Sequence, residues 1–331
     1  MKKSEFVVEE LGQMSRTQRF SHGFRGWFSG AAALLAMSLC AGTPCFAEEN
    51  PVVPVKAKVR EQYVSLSPEN RARTGVAMFR ELVDSNGRIH QRKFLNAEGK
   101  PCFDHNGVAG YEIEYNEQGL RIRTAYLGLD GKSLILSREG VAETRSRYDS
   151  RGCPVQCLFF GVDGQPCYDA VQGAAGWIAD YDDRRQQIRL AYVDKDGKSL
   201  LMTREGVADY RNSYDEKGRL VRKAFFDTAG RPCLAINGVA GWTVEYDGNN
   251  RPVRTSYFGL DGKSPALTVE KVAGFRDSYD AAGRLVRREF FGVDGKPCLH
   301  SAGCAGWSAS YDAQGRQTAL TYFDLSGKPV K

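Results

Sequence analysis

Glycine recurs in this chain at an interval that hardly drifts, and that interval decides most of what the chain can fold into. Gly75, Gly107, Gly140, Gly173, Gly206, Gly238, Lys271 and Gly303 occupy one position of a repeat. Twelve residues on stand Gly87, Gly119, Gly152, Arg185, Gly218, Asn250, Gly283 and Gly315; twelve further stand Gly99, Gly131, Gly164, Gly197, Gly230, Gly262, Gly295 and Gly327. The unit is 32–33 residues long and occurs eight times over residues 75–331, with its one residue of slack in the final connector. Units this short bury a core only by stacking on their neighbours.

The residues around these glycines select β-structure. A typical unit runs Gly-Val-Ala-Gly-Trp, then Tyr-Asp-x-x-Gly-Arg, then an aromatic run, then Asp-Gly-Lys-Pro. Asp opens a tight turn because its carboxylate accepts nearby backbone N–H groups, and Gly closes it because a positive φ is cheap there. At the middle position Asn250 suits the left-handed conformation, whereas Arg185 is expected to be strained or rearranged. Segments such as Arg219–Phe226 are rich in β-branched and aromatic residues and too short for a stable helix. Trp242, Val244 and Tyr246 alternate onto one strand face. Each unit is thus a β-hairpin, an Asp-Gly-Lys-Pro turn and an eight- or nine-residue connector. Ahead of the array, Tyr63-Val64-Ser65-Leu66 followed by Ser67-Pro68 reads as a worn half-unit capping it, within a linker spanning 48–74.

A second period lies on the first. Phe94, Tyr126, Phe159, Tyr192, Phe225, Tyr257, Phe290 and Tyr322 alternate strictly, and Cys102, Cys167, Cys233 and Cys298 mark every other unit. The true unit is a pair of about 65 residues, taken four times. The expected fold is all-β: a continuous twisted antiparallel sheet or superhelix made by adding hairpins. A four-bladed propeller is the alternative, and a β-solenoid ranks below both.

Residues 1–47 read as a signal peptide. A basic leader with Lys2, Lys3, Arg16, Arg19 and Arg25 precedes an uncharged run from Gly26 to Ala47 that closes on Cys45-Phe46-Ala47. An uncleaved anchor is the other reading, and without it contact with a membrane is transient. The expected destination is a bacterial periplasm or the exterior. The formal charge of +6 is interleaved with acidic residues and forms no basic block, which argues against nucleic acid.

The cysteines are expected to pack as small hydrophobes. Equivalent cysteines two units apart are separated by about four strands, roughly 19 Å, while a disulfide needs Cα atoms within about 7 Å. Leu134, Leu200, Pro265 and Val330 stand for cysteine in the other units. Cys298 and Cys304, flanking one connector, are the pair to test. No catalytic, cofactor or metal set is expected. His22, His90, His105 and His300 do not recur, and Asp194-Lys195-Asp196-Gly197 with Glu205 lacks the glycine of a calcium loop at its sixth place.

Two series remain as a candidate ligand surface. Tyr111, Trp177, Trp242 and Trp307 recur in even units, where flat rings stack on sugars or fill a core. Arg80, Arg145, Arg211 and Arg276 recur in odd units; with Glu114, Asp180 and Glu245 in even units they point to cross-strand ion pairs.

At Tyr214–Leu220, Tyr279–Leu285 and Tyr311–Arg316 the turns resemble the YD repeats of RHS-type bacterial proteins. That resemblance implies antiparallel hairpins, which in the family wind into shells around toxin cargo. The Asp-Gly-Lys turns are similar to MORN-variant hairpin repeats, which implies a scaffold or interaction module. The expected function is therefore an exported, non-catalytic β-repeat scaffold that presents an extended surface to a protein partner or an envelope polymer. A glycan- or peptidoglycan-binding module using the Trp series comes second, and an enzyme third.

Overall fold

A computed structural model describes residues 57–202 and 205–330; the expected signal peptide and the start of the linker lie outside them. Up to Ala266 one compact unit holds β1 (Val59–Ser65), α1 (Pro68–Thr74), β2 (Met78–Asp84), β3 (Ile89–Leu95), β4 (Gly110–Tyr115), β5 (Arg121–Leu127) and β6 (Glu143–Tyr148). It continues with β7 (Pro154–Phe160), β8 (Gly176–Tyr181), β9 (Gln187–Val193), β10 (Asp209–Tyr214), β11 (Leu220–Phe226), β12 (Gly241–Tyr246) and β13 (Pro252–Phe258). A second unit, from Leu267, holds β14 (Gly274–Tyr279), β15 (Leu285–Phe291), β16 (Gly306–Tyr311) and β17 (Gln317–Phe323).

Within the first unit every strand pairs antiparallel with the next, from β1–β2 to β12–β13. Hairpin partners share long registers, whereas successive hairpins meet over short ones such as Arg123↔Arg145, Thr124↔Thr144 and Ala125↔Glu143 between β5 and β6. The β5–β6 and β9–β10 pairings fall where a four-bladed propeller would break its sheet between blades. The hairpins instead add to one continuous antiparallel sheet, and the propeller is excluded. In the second unit β14 to β17 follow the same meander.

One turn, used three times per unit, builds this pattern. In the first repeat Asp84 N donates to Arg88 O, and Gly87 N donates to Asp84 O. The same pair of bonds recurs at Asn96–Lys100 and at Asp104–Val108. In each case one side-chain oxygen, of Asp84, Asn96 or Asp104, accepts the N–H groups two and four residues on. The closing glycine is left-handed, with φ of 77°, 75° and 75° at Gly87, Gly99 and Gly107. The expected connector is thus a third copy of the turn. Where the turn ends in Arg, the second carboxylate oxygen takes the guanidinium: Arg219 Nε to Asp215, Arg251 to Asp247 and Arg284 to Asp280 are all 2.7 Å.

Three residues depart from glycine without changing the turn. Arg185, Asn250 and Lys271 adopt φ of 62°, 61° and 68°. Arg185 is not rearranged, since its N–H still reaches Asp182 O at 3.0 Å; it carries the left-handed strain of a side chain. The residue of slack has two homes. It widens the second turn where that turn opens on Gly128 or Gly259, whose N–H groups reach Ser133 O and Ser264 O; it widens the third where Asp169 N reaches Ala174 O and Met202 N reaches Val207 O.

The cap differs from a half-unit. β1 pairs with β2 along seven residues, but Ser67-Pro68 begins a helix rather than a turn. Ser67 accepts from Asn70 N, Pro68 needs no N–H in the first turn, and left-handed Gly75 closes the helix.

Alternation gives the sheet a ring face and a charged face. On the ring face, hairpin partners meet ring to ring: Phe79↔Phe94, Tyr111↔Tyr126, Trp177↔Tyr192, Tyr210↔Phe225, Trp242↔Tyr257, Phe275↔Phe290 and Trp307↔Tyr322. Only Thr144 opposite Phe159 breaks the series. The tyrosine of each Tyr-Asp turn ties hairpin to hairpin. Tyr115, Tyr148, Tyr214, Tyr246 and Tyr311 donate their hydroxyls at 2.8–2.9 Å to Ile89 O, Arg121 O, Gln187 O, Leu220 O and Leu285 O.

Candidate ligand surface

The even-unit rings belong to this shared row and do not stand apart as a ladder. Trp177 is 5% exposed. Tyr111, Trp242 and Trp307 are half-buried, and burial raises the Tyr111 phenol above its ordinary pKa. Phe94 meets Tyr111 edge-on with ring centroids 5.9 Å apart. The glycine before each of these rings relieves crowding: a Cβ on Gly241 would lie 2.2 Å from Lys223 O, and one on Gly306 2.1 Å from Arg288 O. Adjacent hairpins approach too closely there for any side chain.

Behind the rings, odd and even units differ in what they place at mid-hairpin. At mid-hairpin on the ring face, odd units carry polar pairs: Glu81↔Arg92, Ser146↔Cys157, Asn212↔Lys223 and Asp277↔Arg288. Even units carry Ile113↔Thr124, Ala179↔Leu190, Val244↔Thr255 and Ala309↔Leu320. Arg92 bonds Glu81 at 2.6 Å, and Arg288 binds both oxygens of Asp277 at 2.7 Å. Their guanidiniums lie over rings on either side, Arg92 over Phe79 at 4.2 Å and Tyr111 at 5.5 Å, Arg288 over Phe275 at 3.8 Å and Trp307 at 5.8 Å. Lys223 has Asn212 opposite it in place of a carboxylate and lies 4.6 Å over Tyr210; desolvation lowers its pKa. No recurring signature in the repeat announces these pairs, because the position changes chemistry from unit to unit.

Arg80, Arg145, Arg211 and Arg276 point to the opposite, charged face. Arg80 pairs with Glu61 at 2.5 Å, Arg145 with Glu143 at 2.5 Å and Arg211 with Asp209 at 3.6 Å. Three lie over the phenylalanine that ends the next strand: Arg145 over Phe160, Arg211 over Phe226 and Arg276 over Phe291, at 3.9, 3.7 and 4.8 Å. Arg276 also donates to Gly295 O at 3.0 Å. Cross-strand pairs join Arg123 to Glu114 at 2.9 Å and Arg254 to Glu245 at 3.5 Å, while Asp180 faces Arg189 in register. The two candidate series therefore lie on opposite faces and form no common site.

All seven described cysteines are free, Cys298 and Cys304 among them. Cys153, Cys157 and Cys304 are buried, and desolvation pushes the Cys157 thiol up to about 12. Cys167, Cys233 and Cys298 are half-buried and point their thiols at the carbonyls of Gly140, Gly206 and Lys271, 3.7–3.8 Å away. Backbone bonding moves two of their expected counterparts by one residue: Ile135 and Ala266, not Leu134 and Pro265, donate to the ring strand as Cys102 does. Asp194 spends one carboxylate oxygen on the N–H groups of Asp196 and Lys198 at 2.9 Å, the same turn as elsewhere.

No family model matches the chain, and no curated protein does. Solved structures with a related backbone course include TcdB2-TccC3 without its hypervariable C-terminal region, at 10% identity and a TM-score of 0.31, covering 74% of this chain. A TcdB2-TccC3-TEV structure gives 9% and 0.26 over 75%, and a Photorhabdus luminescens Tc holotoxin pore gives 11% and 0.24 over 75%. This chain spans 14–15% of those chains. These are distant likenesses, and nothing about ligand or activity follows from them.

Proposed function

We propose that this is an exported, non-catalytic β-repeat scaffold that presents an extended surface to a protein partner or an envelope polymer. One observation carries the reading. The side chains that recur from unit to unit are occupied in building the sheet: turn carboxylates on backbone N–H groups, tyrosine hydroxyls on carbonyls, arginines on rings and acids. A chain that spends its recurring polar groups this way offers a partner shape and periodic surface rather than a reaction centre.

A glycan-binding reading has one observation in its favour, the half-buried Tyr111, Trp242 and Trp307 recurring in even units beside cationic side chains. Acrylamide quenching of tryptophan fluorescence, with and without purified peptidoglycan fragments, separates the two. The scaffold reading expects shallow quenching that the fragments leave unchanged. Steep quenching that the fragments suppress would give the sugar reading precedence.

A further inference from the structure

Within each of the two compact units, the edge with the Tyr-Asp turns and the edge with the second and third turns differ in chemistry. Of the 19 exposed large hydrophobic side chains among the described residues, 15 lie in or between the second and third turns of the units. The others are Val59, Tyr63 and Val64 of β1 and Leu320 of β17; none lies in a Tyr-Asp turn, whose tips are residues such as Gln118 and Lys217. The apolar edge has a period. Phe103, Leu136, Tyr168, Leu201 and Leu234 each follow the residue that bonds back to the ring strand, and each is 45–50% exposed. Successive third turns are tied to one another by backbone bonds, Arg138 N to Asn106 O at 2.7 Å and Ala170 N to Glu139 O at 2.6 Å, so the stripe is held in line. Its members recur every two strands, roughly 10 Å.

We propose that this edge is a self-association surface, whose occupant is the same edge of a second copy of the chain. Three features select that occupant. Between residues 100 and 266 ten exposed large hydrophobics lie on the edge. At roughly 80–100 Å² each they offer on the order of 800–1,000 Å², the share one partner contributes to a standard interface. The rim carries both signs, as in Asp196 and Lys198, which pair with each other at 3.3 Å, so it does not repel the same edge of a second copy. An anionic bilayer calls for a cluster of basic side chains, which a rim of mixed sign does not offer. A second copy also has the same pitch, so one contact in register brings the rest into register.

The test is the solution mass of the full chain by light scattering, for the wild type, for Leu201→Asp/Leu234→Asp, and for Gln118→Asp/Lys217→Asp on the polar edge. The proposal expects about twice 36.7 kDa for the wild type and the polar-edge variant, and 36.7 kDa for the apolar-edge variant with an unchanged circular dichroism spectrum. A monomeric wild type would overturn it, as would a dimer or larger assembly that both variants preserve. A monomer that floats with anionic vesicles until Leu201 and Leu234 are replaced would assign the edge to a membrane. If the apolar-edge variant loses its spectrum, Leu234→Gln alone replaces it, with the same expectation of a shift toward monomer.

Discussion

The residue that closes each turn contributes to the stability of the hairpin beneath it. Arg185 holds φ at 62° where most units have glycine, at a cost of about 1 kcal/mol. Arg185→Gly is therefore expected to raise the thermal midpoint, and Asn250→Gly to raise it less, because asparagine tolerates that conformation better. The turn carboxylates supply a pH dependence. Hydroxyl and N–H donors, Ser133 and Ser264 foremost, lower Asp130 and Asp261 from 3.8 to about 2. Asp215, Asp247, Asp280 and Asp312 are lowered by the backbone N–H and guanidinium of the arginine four residues on. A carboxyl more acidic in the folded state stabilises it fully above its unfolded pKa, and loses that contribution as pH falls toward the folded value. The urea midpoint should thus fall from about pH 4 to about pH 2, and a flat profile there would contradict the turn chemistry. The roles of Asp and Gly were legible in the sequence because both bonds close within five residues. The tyrosine before them was not, since its acceptor is a featureless carbonyl 26 or 27 residues earlier.

Those tyrosine bonds belong to the hairpin as an element, because they tie each one to its predecessor. Tyr246→Phe removes a bond to Leu220 O and should cost about 1 kcal/mol. Tyr181→Phe should cost less, since its buried hydroxyl makes no bond to a backbone carbonyl and has only the Gln187 side chain beside it. Chemical denaturation of the two variants side by side checks the contrast, and equal losses would mean that the bond to the carbonyl is not what stabilises the hairpin. Strand and turn were both readable from spacing. The third turn was hidden because its opening residue varies, from Asp104 and Ser137 to Met202, Ala235 and His300, while its backbone bonds stay the same. The helix at Pro68–Thr74 was missed for another reason: Ser-Pro serves a turn and a helix start equally well.

At the scale of the molecule, sequence left a continuous sheet and a propeller both open, because both use the same hairpins. What separates them is the short contact between one pair of hairpins and the next, and residues such as Thr124 and Thr144 carry no mark of pairing. The candidate surface was legible only as two series; that the Trp and Arg positions face opposite ways came from the register of each hairpin, and their neighbours came from adjacent units. The most direct test of the continuous sheet is a cross-link at this junction. Thr124 and Thr144 are register partners between β5 and β6, so their Cα atoms should lie about 5.5 Å apart, within disulfide range. Thr124→Cys/Thr144→Cys in the full chain should form that disulfide on mild oxidation, mapped by peptide mass, with the fold intact by circular dichroism. A folded variant whose two thiols stay unlinked, as separate blades would leave them, would contradict the architecture.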